Sequence, residues 1–311
     1  MLLRVTAYLL LVLVATRLLI GATLCCTAFD PKFPLPCNSP AHLYGGMKAE
    51  GFNVSSANAD LIAEMGGCTS SLLRFIENGY LFKARPIGGG CNPDIAEHLP
   101  VLRMLLMEPH VTHGSEVGVR DGFATWAFLD AARERLEKGM RPLKIRLYDI
   151  SKTKKVKALL QKVNSECPAL DVELSEGNDL VIPIEETDIM LLDTWHSFRQ
   201  LNAELKRIPH KIRRTLLLHD TVTFEQRDEG TTGHGGKPIN EELFEGSMQY
   251  QGLLPAIKKF LRAEQARGET SKPNDRDSLF VLRETRTNCN GLTILDRQKF
   301  LHQINNITDP A

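Results

Sequence analysis

His113-Gly114-Ser115-Glu116-Val117-Gly118-Val119-Arg120-Asp121-Gly122, followed by the run Phe123 to Leu136, is the stretch that decides the fold. It reads as a strand end, a tight glycine loop and an amphipathic helix. Glycine permits positive φ and lets backbone approach a ligand closely. The helix behind it presents free N–H groups and a partial positive charge at its start. An acidic residue at the strand end, Glu116, suits a ligand with hydroxyl or ammonium groups better than a pyrophosphate. The glycines at 114, 118 and 122 do not have the GxGxxG spacing of nicotinamide-binding sheets.

Strands and helices alternate on from this loop. Leu143 to Ile150 alternates apolar residues through Asp149; Val156 to Val163 is a helix; Leu170 to Leu174 is a strand followed by Asn178 and Asp179. Thr187 to Asp193 and Arg214 to Asp220 are buried strands with a helix, Ser197 to Ile208, between them. This order predicts a parallel sheet covered by helices on both faces. Ligands bind such sheets at the carboxyl ends of the strands. Glu116, Asp149, Asp179, Asp193 and Asp220 all fall at or just past such ends. A single acidic residue there serves as a helix cap; five on one edge predict a site. Near the end, Ser278 to Thr285 and Gly291 to Arg297 are two strands joined through Asn290-Gly291, a turn signal for an antiparallel pair.

Upstream, Asp94 to Met107 has an amphipathic pattern carried by Ile95, Leu99, Leu102 and Leu106, with Pro100 placed to kink it. His98 within it reads as structural or solvated. Residues 29–92, rich in Gly, Pro, Ser and Asn, read as a stem and cap segment with short helices at Ala59 to Met65 and Ser70 to Asn78. Residues 222–251 are polar and glycine-containing and read as a mobile lid.

Over residues 93–297 the chain resembles class I S-adenosylmethionine (SAM) methyltransferases, most closely the cephalosporin-hydroxylase-like and rhamnosyl O-methyltransferase group. Asp193-Thr194-Trp195-His196-Ser197 and Leu218-His219-Asp220-Thr221-Val222 carry the likeness, together with the acidic-x-Gly-x-x-x-Gly loop. The resemblance implies a Rossmann-like methyltransferase fold: a doubly wound, mostly parallel seven-stranded sheet with a terminal antiparallel strand. It also implies SAM as cofactor and Mg2+ or another divalent cation beside the acceptor. By the same likeness, Glu116, Gly118 and Gly122 shape the SAM pocket, Asp149 receives the ribose hydroxyls, and Asn178 or Asp179 lies near the adenine. Asp193 and Asp220 are implied metal ligands, with His219 or Thr221 completing the set, and His196 is implied as the base. His219 falls at that group's His-or-Glu position and is a poorer Mg2+ ligand than Glu; it either faces substrate or selects another metal such as Mn or Fe. His196, His219 and Asp220 could also mimic a two-histidine-one-carboxylate iron site. Trp126 reads as core of the first helix, and Trp195 as pocket wall or packing.

The remaining sequence bounds the setting. With Lys+Arg and Asp+Glu both 38 in 311 residues, net charge is zero, and no basic excess points to nucleic acid. The seven cysteines form no CxxC pairs, which excludes a sequence-readable zinc cluster, and they are too few and too spread for a dense disulfide framework. Residues 2–26 are apolar enough to span a bilayer, at about 20 residues, or to serve as a cleaved leader within residues 1–28. Either reading sends the protein into the secretory pathway, membrane-anchored or secreted; Asn53 and Asn306 begin glycosylation sequons. The expectation is therefore a SAM-dependent O-methyltransferase domain over 93–297 with a tail at 298–311, acting on a sugar, glycan or other small hydroxyl compound. A nicotinamide-dependent oxidoreductase and a non-catalytic binding protein on the same fold are the alternatives.

Overall fold

The computed structural model describes residues 67–84, 94–229, 251–270 and 278–300. The apolar run 2–26, both sequons, the helix expected at Ala59 to Met65, most of the expected lid and the tail past 300 lie outside the described residues. No helix among the described residues is long and apolar enough to cross a membrane.

Seven strands form one sheet: β1 (His113–Val117), β2 (Lys144–Asp149), β3 (Val172–Glu176), β4 (Thr187–Leu192), β5 (Ile212–His219), β6 (Phe280–Arg286) and β7 (Leu292–Arg297), ordered β3-β2-β1-β4-β5-β7-β6. β1 pairs parallel with β2 and β4, β2 with β3, and β4 with β5. β7 runs antiparallel to both β5 and β6. The chain thus starts at the centre, winds out to one edge, returns across β1 to β4, and closes with an antiparallel hairpin. The reversal between β1 and β4 is the switch point where such sheets take ligands.

The helices are α1 (Ser70–Lys83), α2 (Leu99–Leu106), α3 (Thr125–Glu137), α4 (Lys154–Glu166), α5 (Phe198–Arg207) and α6 (Leu253–Thr270). Two apolar layers flank the sheet. One joins α1 to α4 with β2 and β4 through Leu72, Ile76, Leu102, Phe128, Ile145, Val163 and Ile189. The other joins α5 and α6 with β4 and β5 through Met190, Phe198, Leu205, Leu216 and Ile257. β4 is buried along its whole length, as expected of an apolar strand covered on both faces.

The residues that end the elements are legible. Thr153 and Ser197 accept hydrogen bonds from the backbone N–H of Val156 and Gln200 and so cap α4 and α5. Asp94 to Met107 is not one helix: a 3-10 turn, Ala96–His98, precedes α2. Pro100 sits in the first turn of α2, where its missing N–H costs nothing, so it starts the helix instead of kinking it. Helix α1, within the stretch read as stem and cap, joins the core. Its Gly79 lies so close to α3 that a Cβ there would meet the Trp126 ring at 2.2 Å. Phe75 meets the same ring edge-on at 5.4 Å between centroids, which confirms Trp126 as a packing residue. A Cys68–Cys167 disulfide fastens the entry to α1 to the end of α4, 99 residues away, and Cys289 is disulfide-bonded as well.

Candidate active site on the carboxyl rim of the sheet

The ends of β4 and β5 bring two carboxylates and two imidazoles into one cluster. Asp193 follows β4, and its N–H bonds the carbonyl of Val117, the last residue of β1. His219 ends β5. Asp220 turns the chain off the strand at φ 58, a left-handed conformation that Asp tolerates better than most residues. Ser197, as the cap of α5, fixes the turn that carries His196.

His196 Nε2 lies 3.2 Å from Asp193 Oδ1 and 3.0 Å from Asp220 Oδ2. His219 Nδ1 lies 3.2 Å from the same Asp193 oxygen and 3.5 Å from Asp220 Oδ1. The His219 side chain is fully shielded, and those of Asp220 and Asp193 are 4% and 14% exposed. Burial alone would raise the Asp193 carboxyl, but the charge of His219 and hydrogen bonds from both imidazoles hold it below the usual carboxylate range. Burial raises Asp220, which the two imidazoles only partly offset. Burial also works against charge on both histidines, yet the carboxylates win: His196 is pushed up to about 10 and His219 to about 9. Two extra protons therefore balance the carboxylates, in the place where a divalent cation would supply the same charge. Asp220 Oδ1 and His219 Nε2 are buried without a hydrogen-bond partner. One donor atom each from Asp193, His219 and Asp220 lies within 4.8 Å of the others, as a shared ion requires. These three residues fit a divalent cation; Thr221, the alternative third member, is bonded instead to Thr293.

The glycine loop sits next to this cluster. Gly118, at φ +89, lies so close to β4 that a Cβ would fall 2.0 Å from the carbonyl oxygen of Asp193. Its absence of a side chain is thus required by the contact between the two strand ends, beside any role toward a ligand. Gly122, at φ +78, turns the loop, and its N–H bonds the Val119 carbonyl. Glu116 is buried and accepts a hydrogen bond from the Thr125 hydroxyl at 2.7 Å, tying β1 to the start of α3. Burial holds its carboxyl well above the ordinary range, and the charges of Asp193 and Asp149 add to this. Asp149, at the end of β2, accepts from the N–H of Arg120 and of Ser151, both at 2.8 Å, and so shapes the glycine loop.

Asn178 and Asp179 follow β3. Asn178 uses its side-chain oxygen to accept from the N–H of Leu180. Asp179 turns toward α5, where Gln200 donates to it at 3.2 Å, and it is hydrogen-bonded to the buried Glu204. Burial and the charge of Asp179 raise Glu204 well above its usual range, so Glu204 carries the proton of this acid pair. Glu204 also accepts from the hydroxyl of Thr194, next to Asp193, at 2.6 Å. The chain Asp179–Glu204–Thr194 thus joins the end of β3 to the end of β4. Trp195 is half-buried beside it.

No family model matches the chain, and no curated protein does. Many solved structures do. A putative O-methyltransferase from Klebsiella pneumoniae is 13% identical over 78% of this chain and 96% of its own, with a TM-score of 0.40. An O-methyltransferase from Bacillus cereus, in complex with SAH, is 12% identical over 78% and 97%, with a TM-score of 0.41. A putative caffeoyl-CoA O-methyltransferase from Staphylococcus aureus is 13% identical over 76% and 96%, with a TM-score of 0.39. The strand order, with β7 antiparallel between β5 and β6, is the deciding observation for the architecture. It is the Rossmann-like methyltransferase fold.

Within this methyltransferase fold, two further residues complete the rim that sequence reasoning did not single out. Glu229 places Oε2 2.9 Å from His196 Nδ1, and its N–H donates to the His196 carbonyl. Its neighbour Asp228 accepts from the N–H of both Phe198 and Gly252, through one oxygen. Both fall in a polar stretch without periodicity, so no pattern marked them. His98 is buried; its ring meets that of His219 edge-on at 5.6 Å, and its Nε2 lies 3.2 Å from the Cys289 carbonyl. Burial and the charge of His219 lower it to about 4, so it is neutral and walls the cluster from behind. The reading of His98 as structural holds.

Glu116→Gln is expected to stabilise the protein. A carboxyl raised on folding binds its proton more tightly in the folded state, so stability is fully present below the unfolded value of 4.5 and falls as pH rises toward the folded value. Glutamine keeps an acceptor for Thr125 without that penalty. Urea unfolding should show a gain of about 1–3 kcal/mol at pH 8 and much less at pH 4. An equal effect at both pH values would place the Glu116 proton elsewhere.

Proposed function

We propose that the chain is a SAM-dependent O-methyltransferase, assisted by a divalent cation and acting on a sugar, glycan or other small hydroxyl compound. The observation that carries this reading is the junction at Gly118 and Asp193, where the glycine loop after β1 abuts the carboxylate–imidazole cluster after β4 and β5. A donor pocket and a proton-handling site then share one rim. On the donor side, Glu116, Gly118 and Gly122 form the floor, Asp149 holds the loop and offers its free lone pairs to ribose hydroxyls, and Asn178 and Asp179 border the adenine end. On the acceptor side, Asp193, His219 and Asp220 would hold the cation, which supplies Lewis acidity that lowers the pKa of a bound hydroxyl.

His196 takes the acceptor proton at Nε2 when it enters the cycle neutral. Glu229 holds the other ring nitrogen, Nδ1, and so fixes which nitrogen faces the acceptor. SAM held on the donor side would supply an electrophilic methyl group to the acceptor oxygen, leaving S-adenosylhomocysteine, with no covalent enzyme intermediate required. Catalysis consists of placing two reactants in line and stabilising charge at the rim. The disulfides support an oxidising compartment, in keeping with a secretory leader or anchor within residues 2–26.

The test is thermal unfolding of the full chain with SAM, S-adenosylhomocysteine and NAD, each with and without divalent ions. At a hundredfold excess over Kd, the first two should stabilise by about 2.7 kcal/mol, a shift of about 5–10 °C, and NAD should not. No shift with either adenosyl compound, or an equal shift with NAD, removes the reading.

A further inference from the structure

The structure assigns the cation site to a first-row transition ion, such as Mn2+, Fe2+ or Co2+, in preference to Mg2+, through the Nδ1 atom of His219. This rests on the cation-assisted reading above and adds the class of ion.

The argument begins with the donor atoms. Asp193 Oδ1 and His219 Nδ1 are 3.2 Å apart, and His219 Nδ1 and Asp220 Oδ1 are 3.5 Å apart. Around one ion with bonds of about 2.1 Å, neighbouring ligands at right angles stand about 3.0 Å apart. Small adjustments therefore turn the contacts between these groups into a shared shell. A second observation points the same way: Asp220 is 3% exposed overall, yet its Oδ1 has no hydrogen-bond partner. A buried carboxylate oxygen without a donor is costly unless something positive meets it. That oxygen lies 3.5 Å from His219 Nδ1, so an ion seated between the two would meet both.

The imidazole decides the class of ion. Mg2+ is hard, prefers oxygen ligands and dehydrates reluctantly; a site for it is built from carboxylates, carbonyls and water. Nitrogen donors favour the later first-row ions, whose affinities rise from Mn2+ through Fe2+ and Co2+. Here one of the three protein donors, His219 Nδ1, is nitrogen. A transition ion gains from that nitrogen; Mg2+ gains little.

The experiment uses the full chain, stripped of metal. Mn2+ is added and pulsed electron paramagnetic resonance reads nitrogen coupling from directly bound imidazole in the unaltered protein. Co2+ is then titrated, its visible absorption giving affinity, and Mg2+ is added in competition. The expected results are a directly bound nitrogen and a preference for Co2+ over Mg2+ of about a hundredfold or more. His219→Glu should cut that preference at least tenfold. Absence of nitrogen coupling, or displacement of Co2+ by an equal concentration of Mg2+, overturns the inference even if the variant does not fold. SAM binding to the same samples by calorimetry separates the two readings. Nitrogen-bound Mn2+ without SAM binding would remove the methyltransferase reading and keep the ion; SAM binding with Mg2+ preferred would do the reverse.

Discussion

Asp220→Asn is expected to abolish cation-stimulated methyl transfer while SAM binding persists. Asn tolerates the left-handed backbone that this position adopts at φ 58, so the turn after β5 survives. What is lost is the charge. Asp220 faces both imidazoles, His196 at 3.0 Å and His219 at 3.5 Å, and is one of the two aspartates of the proposed cation site. Polarisation of an acceptor oxygen by a metal is worth several kcal/mol, so the rate should fall by about a thousandfold. Asp220→Ala should fall as far and lose about 1 kcal/mol of stability more, since Ala is poorer in that conformation. The measurement is turnover with and without divalent ions, set beside calorimetric SAM affinity. Methyl transfer that still responds to the ion in both variants would take the cation away from this cluster; loss of SAM binding in both would show that the rim is not divided as proposed.

Gly118→Ala should be the most destructive single methyl group in the domain. Its φ of +89 costs a side-chain-bearing residue roughly 1–2 kcal/mol. The larger penalty is steric. The added Cβ would meet the carbonyl oxygen of Asp193 at 2.0 Å and its carbon at 2.5 Å. These are backbone atoms and cannot rotate away, so β1 and β4 must part at their carboxyl ends. We expect a loss of about 4 kcal/mol or more, together with weakened cation and SAM binding. Gly122→Ala is the control. Its φ of +78 carries the same backbone cost, but the nearest atom is a methyl group of Val156 at 3.1 Å, which can yield. Urea unfolding of the two variants separates conformation from collision; equal losses would mean that the strand ends are not in contact.

Much of this was readable before any coordinates. The succession of strands and helices followed from alternating apolar runs, and the closing hairpin from Asn290-Gly291, because local chemistry dictates both; the seven-stranded sheet was implied only by the resemblance. Asp193 and Asp220 could be grouped because parallel strands put their carboxyl ends on one edge; His196 and His219 joined them through the resemblance. Their pairing could not be read: that His219 and His196 share one Asp193 oxygen depends on the left-handed turn at 220 and on the cap of α5. Glu229 was invisible because its partner, His196, is 33 residues away across a stretch with no periodic signal. Helix α1 read as a short helix of a stem and cap segment because its burial depends on Gly79 meeting Trp126, a long-range fit that composition does not announce. Asp94 to Met107 read as one helix because the apolar spacing continues across the 3-10 turn, and periodicity does not register a change of pitch.

Asp228 has a consequence for how such a protein changes over time. By receiving the N–H of Gly252 on the same oxygen that accepts from Phe198 at the start of α5, it fixes residues 228 and 252, the two feet of the stretch between them, beside that helix. The cost of closing a loop grows only slowly with its length once the ends are fixed. Insertions and deletions between those feet leave the sheet, the glycine turn and the carboxylates where they are. On the proposed function, acceptor preference can then change within that stretch while the carboxylates stay where they are.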